Sequence, residues 1–107
     1  MTEQEIYARL KNLDQMHDPM ELNSIMSHIS GFIMDAEEEL HPLNLVISNE
    51  WLKIREACKS NNQADRLLEV GANYQRAERI KLNMAQLKRM RSDLRQRYEI
   101  LTSIKRF

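Results

Sequence analysis

The sequence predicts an all-α fold: a long antiparallel helical hairpin, coiled-coil-like, with a short helix ahead of it, assembled into an oligomeric helical bundle. Three observations carry this. From Ala64 to Phe107 there is no proline and a single glycine, Gly71, in a run rich in Arg, Lys, Gln, Glu, Leu, Met and Ala. Apolar residues return there every three or four positions, at Leu67, Val70, Tyr74, Ala77, Ile80, Met84, Leu87, Met90, Leu94, Tyr98, Leu101 and Ile104. That spacing is nearer a coiled-coil period than that of an isolated helix. Finally, two glycines and two prolines in 107 residues leave little material for the turns of a β fold.

The first helix, expected at about residues 3–16, starts on a capping box: Thr2 as N-cap with Glu5 three residues on. Ile6, Leu10 and Leu13 give it a short apolar stripe. Asp18-Pro19 then restarts the chain, with Asp18 as N-cap, Pro19 at the first helical position and Glu21 closing a second capping box. The apolar phase of this second helix runs through Leu22, Ile25 or Met26, Ile29, Ile33, Ala36, Leu40, Leu43, Ile47, Trp51, Ile54 and Cys58. It crosses Pro42 without slipping, so one bent helix over about 19–60 is favoured over two, with a kink near Glu38–Pro42. Lys59-Ser60-Asn61-Asn62 is the polar turn, and Ser60 or Asn62 can cap a final helix over about 64–106. Two helices of about 42 residues each span about 63 Å at 1.5 Å per residue, which is the arithmetic of a hairpin. The whole is expected as one domain over 1–107. Its stripes are too extensive for three helices to cover, which predicts self-association through Leu67, Tyr74, Met84, Leu87, Leu94, Tyr98 and Leu101.

Composition excludes several classes. No run of about 18 apolar residues occurs, so no membrane span is expected. Met1-Thr2-Glu3-Gln4-Glu5 is acidic and leads an amphipathic segment, unlike a secretory leader. A lone cysteine, Cys58, has no internal partner and reads as a small core residue in a reducing cytoplasm. Glu38-Glu39-Leu40-His41 holds one Glu-x-x-His step, whereas a di-iron bundle needs two and further inward glutamates. Glu38 and His41 also lie off the apolar phase, so a solvated acidic run is the simpler account. The serines sit in helical patterns or the polar turn, with no phosphate loop, dinucleotide fingerprint or zinc spacing. Neither enzyme chemistry, nor a metal, nor a cofactor is expected.

The net charge of zero hides a split. Residues 1–64 carry five Lys and Arg against eleven acids, a balance of −6, and residues 65–107 carry eleven against five, +6. Within the basic half, Arg76, Arg79, Lys81, Lys88, Arg91 and Arg95 are the candidate binding residues; Lys81, Lys88 and Arg95 are seven apart and line one edge. Such an edge can neutralise successive phosphates, with Tyr74, Tyr98 and Phe107 as candidate stacking surfaces. It can equally pair with the acidic half, as flanking charges do in coiled coils, and the tyrosines fall on the apolar stripe. Both readings stay open on sequence.

The run Tyr74-Gln-Arg-Ala-Glu-Arg-Ile-Lys-Leu82 and the run from Leu87 through Leu101-Thr-Ser-Ile-Lys105, with Trp51 ahead of them, resemble small helical phage proteins of recombination and replication. The comparison is with the UvsY-type recombination mediators. That resemblance implies a non-enzymatic oligomer that binds single-stranded DNA, helps load a recombination protein, and works in the cytoplasm of a host cell. The basic-helix residues would then carry DNA and the stripes would carry assembly. The rival expectation is an inhibitor or adaptor of anti-defence type, presenting Asp35-Ala-Glu-Glu-Glu39 to a host protein in place of phosphates. A third is a structural assembly subunit.

Overall fold

The computed structural model describes residues 1–105; Arg106, counted above in the basic half, and Phe107, named above as a stacking surface, lie outside the described residues, as do the side chains of Asp14, Ile104 and Lys105. The fold is all-α. In order come α1 (Glu3–Leu10), a 3₁₀ turn (Leu13–Gln15), α2 (Pro19–Ala57), α3 (Asn61–Glu69) and α4 (Ala72–Lys105). The chain expected as one domain gathers into two compact units. The first joins residues 1–34 to residues 85 onward, and the second is Asp35–Met84. In each, a stretch of α2 lies antiparallel to a stretch of α4, the hairpin expected from sequence.

The first unit is built on local signals that the sequence carries openly. The Glu5 N–H donates to Thr2 Oγ1 at 3.2 Å, and the Met20 N–H to Asp18 Oδ1 at 3.0 Å, so the caps of α1 and α2 form where the side chains call for them. The first helix ends earlier than expected, at Leu10 rather than near 16. Asn12 leaves helical geometry at φ −113° and ψ 32°, and its N–H bonds three residues back, to the Arg9 carbonyl. This turn allows Met16, eight per cent exposed, to enter the core. Ile6, Leu22, Ile25 and Ile29 of the first two helices close on Leu87 and Leu94 of α4, all of them essentially fully buried. Each such side chain contributes roughly 1.5–3 kcal/mol by leaving water. Arg97 straps this core, its Nε donating to the Met16 carbonyl at 3.2 Å and its Nη2 reaching His17 Nδ1 at 3.1 Å. A guanidinium only donates, so Nδ1 is the acceptor and His17 carries its hydrogen on Nε2.

The second unit is more thinly covered. Its fully or nearly buried apolar residues are Ala36, Ala64, Leu68, Ala77 and Met84, three of them alanines, while Leu40, Leu43, Ile47, Trp51, Ile54 and Tyr74 are half-buried. Helix α2 passes Pro42 unbroken, with the proline exposed. It stops at Ala57, short of the expected Ser60, where Arg55 donates from Nη1 to the Cys58 carbonyl and from Nε to Asn61 Oδ1. Ser60 then caps α3, receiving the Gln63 N–H at 3.2 Å while Gln63 Oε1 accepts the Lys59 N–H at 3.0 Å.

One helix over 64–106 was expected; the structure divides it. The segment begins at Asn61, ends at Glu69 and resumes as α4 at Ala72. The Gly71 N–H bonds to the Leu68 carbonyl at 2.9 Å, and a Cβ on Gly71 would stand 3.1 Å from that oxygen, so the turn is tight enough to favour glycine. Gln75 Nε2 satisfies the Glu69 carbonyl at 2.6 Å. The break also shifts the apolar phase. Helix α3 buries Ala64 and Leu68, and leaves Leu67 and Val70, the first two members of the expected stripe, exposed at 51% and 77%.

Leu94→Ala is expected to lower unfolding free energy by about 2–5 kcal/mol, since its site is closed on all sides. Ile100→Ala, at a position 52% exposed, should move it by no more than about 0.5 kcal/mol. Urea denaturation followed by helical circular dichroism measures both.

Candidate nucleic-acid interface

From Ala77 to Leu101, α4 presents a seam in alternating steps of three and four: Ala77, Ile80, Met84, Leu87, Arg91, Leu94, Tyr98 and Leu101, all buried or half-buried. Seven of these eight are apolar or aromatic. The eighth is an arginine, half-buried next to Met90, the stripe residue expected from sequence, which is half-buried as well. In the first unit Arg91 is half-buried, and its Nη1 donates to Ser30 Oγ of α2 at 3.1 Å. A charge on an apolar seam is tolerated only where polar groups and solvent reach it.

The facing stretch of α2 supplies that room. Ser27, Ser30 and Gly31 are small, and a Cβ placed on Gly31 would meet nothing within 4 Å. Together with Met26 and Met34 of α2 and Arg95, Tyr98 and Glu99 of α4, they line an open groove of about 670 Å³. The Gly31 backbone is not in the left-handed region, so neither its dihedrals nor packing calls for glycine there. A glycine inside a helix nevertheless costs about 1 kcal/mol relative to alanine.

The candidate cations fall into different circumstances. In the second unit Arg76 is paired with Glu39 of α2, and Lys81 with Glu78 of its own helix at 3.3 Å, while Arg79 is exposed. Asn73 adds a donor to Glu50. The acidic half of the chain therefore answers the basic helix at Arg76, as the charge-pairing account requires. In the first unit, Arg91 is held by Ser30, whereas Lys88 and Arg95 are exposed, as is Arg89. Among the described residues, no carboxylate lies within ion-pair distance of Lys88, Arg89 or Arg95. Arg9 of α1 pairs with Glu21 of α2 in this unit. This unit carries nine Lys and Arg against seven acids, +2, with seven of the nine on residues 85–107.

Comparisons with protein-family models, curated proteins and solved structures find no match. The site must be read from its own chemistry.

Of the residues expected to form an interface between copies, Met84, Leu87 and Leu94 are covered by the chain itself, and Tyr74, Tyr98 and Leu101 are half-covered. Leu67 remains open. The exposed apolar side chains of the second unit are instead Leu45, Val46, Leu52, Leu67, Val70 and Leu82. Leu52 belongs to an open pocket of about 420 Å³ with Ile47, Trp51 and Leu68, where the indole N–H is held by Asp65 Oδ1 at 2.7 Å. Sequence reading missed this surface because Leu45 and Leu52 lie off the main phase of α2. Their seven-residue spacing was the available signal.

Among the described residues, no three His, Cys, Asp or Glu side chains gather as a cluster that could hold a metal, and no helix is long and apolar enough to cross a membrane. Glu38 and His41 are both exposed.

The Arg76–Glu39 pair has about half of each side chain in water. Glu39→Gln should cost less than about 1 kcal/mol in dilute buffer, and the difference should vanish at high salt. Thermal melts of both proteins at two ionic strengths check this.

Proposed function

We propose that this chain is a non-enzymatic helical accessory protein that binds single-stranded DNA through α4 and assembles with copies of itself, acting in recombination or replication in the cytoplasm. The observation that carries the reading is the cluster of exposed cations Lys88, Arg89 and Arg95 on one stretch of α4, none with an acidic partner among the described residues. Arg66 and Arg79 are also exposed without an ion pair among the described residues, and what sets Lys88, Arg89 and Arg95 apart is that they lie within two turns of one helix. Positions 88 and 95 are seven apart, about 10.5 Å along the helix axis, and Arg91 lies between them. That arrangement suits a flexible phosphate backbone, since each cation can meet a phosphate without a duplex groove to dictate register. The resemblance of the α4 sequence to UvsY-type mediators points the same way. Assembly is assigned to the exposed leucines of the second unit, whose own core rests largely on alanines.

The acidic run supports a second reading. Asp35, Glu37 and Glu38 are exposed and, among the described residues, free of ion pairs. A row of carboxylates on a helix suits an inhibitor or adaptor that occupies the phosphate-binding surface of a host protein.

Fluorescence anisotropy with a labelled thymidine oligomer tests the first reading. Binding should weaken steeply with salt, and Lys88→Gln with Arg95→Gln should reduce the slope of log K against log salt by about 1.4, at about 0.7 per phosphate contact. Failure to bind at low salt overturns it. Sedimentation should show an oligomer that dissociates when Leu45 and Leu52 are both changed to Glu. Under the second reading, changing Glu37 and Glu38 to Lys abolishes a host-protein complex and leaves DNA binding intact.

A further inference from the structure

We infer that the groove at Arg91 is a seat for one nucleotide of a single strand, with the phosphate on Arg91 and Arg95 and the base against Tyr98 and the thioethers of Met26 and Met34. This rests on the strand-binding reading above and adds to it a claim about bases. An exposed cationic edge alone is indifferent to what the backbone carries.

Three features converge on the groove. Arg91 occupies an inward position on a seam of apolar and aromatic residues, with a single hydrogen bond, to Ser30 Oγ, satisfying part of a five-donor fork. Arg95 follows one turn later, exposed and, among the described residues, without an acidic partner, so two guanidinium groups border the same space. A pair of planar forks matches the oxygens of a phosphate better than point charges do. Beneath them, Gly31 has open space where a Cβ would lie, and no left-handed backbone to justify it. What the glycine does in this structure is keep the groove deep.

The walls suit a base. Tyr98 is half-buried and borders the groove, which gives a flat π surface that is held in place. Met26 and Met34 supply polarizable, adaptable contacts, and Met34 is 61% exposed, with no role in the core. Asn23 and Glu99 stand at the rim as hydrogen-bonding groups for base edges. The volume of about 670 Å³ falls in the range of small-ligand sites, about 300–1,000 Å³. An arginine on a seam can also serve only to set helix register. That role accounts for neither the glycine nor the exposed methionine.

The test compares a thymidine oligomer with an abasic oligomer of the same length and charge, by anisotropy on the full chain at fixed salt. Wild type should prefer the base-bearing strand about tenfold, the scale of one stacked base. Gly31→Leu fills the groove with a better helix former. It should melt at or above the wild-type temperature and lose the preference. Tyr98→Leu, which keeps bulk but removes the π face, should lose the preference as well. Equal binding of the two strands by wild type overturns the inference and leaves strand binding standing, as does a preference retained by both variants. If neither strand binds wild type at low salt, the strand-binding reading falls and takes the seat with it.

Discussion

Leu87 and Leu94 sit about one helical turn on either side of Arg91, and all three turn toward the core side of α4 in the first unit. The two leucines are fully covered, so α4 is held in a fixed register against Leu22, Ile25 and Ile29 of α2. The arginine's charge is met by Ser30 and by the open groove beside Ser27 and Gly31. The groove follows from this constraint: close packing above and below, a cation between, and small residues opposite.

Charge is distributed in the same economical way. The opposed halves of the sequence suggest a chain that neutralises itself, yet Arg76 with Glu39 is the main place where an acid of α2 meets a cation of α4 among the described residues. Such a pair, half in water, adds little stability. Its consequence is selective: it removes Arg76 from the list of available cations and leaves Lys88, Arg89 and Arg95 on it. Burial divides along similar lines. The first unit closes on branched aliphatic side chains, while the second closes largely on alanines and leaves Leu45, Leu52 and Leu67 in water.

Much of this was legible because its causes are local. The caps at Thr2 and Asp18 need only a side-chain oxygen and an N–H two or three residues on, so they form as read, and of the two candidates Ser60 and Asn62 it is Ser60 that caps, on α3. The unbroken passage through Pro42 was legible from the apolar phase on both sides of it. Other features have distant causes. The break at Gly71 is fixed by Gln75 on the Glu69 carbonyl and by Asn73 reaching Glu50, 23 residues away in sequence. The end of α1 at Leu10 follows from Met16 entering a core whose other side is α4.

Helical class, the hairpin and the cationic character of the last helix were therefore determined by sequence alone, since periodicity, capping and composition act over a few residues. The tertiary structure decided which cations are spent on internal acids, which leucines meet solvent, and that Arg91, half-buried beside Met90, bonds to Ser30 of α2. A one-residue change in phase is a rotation of about 100° around a helix. Neighbouring apolar and charged positions share a stripe on paper, and packing against α2 selects between them.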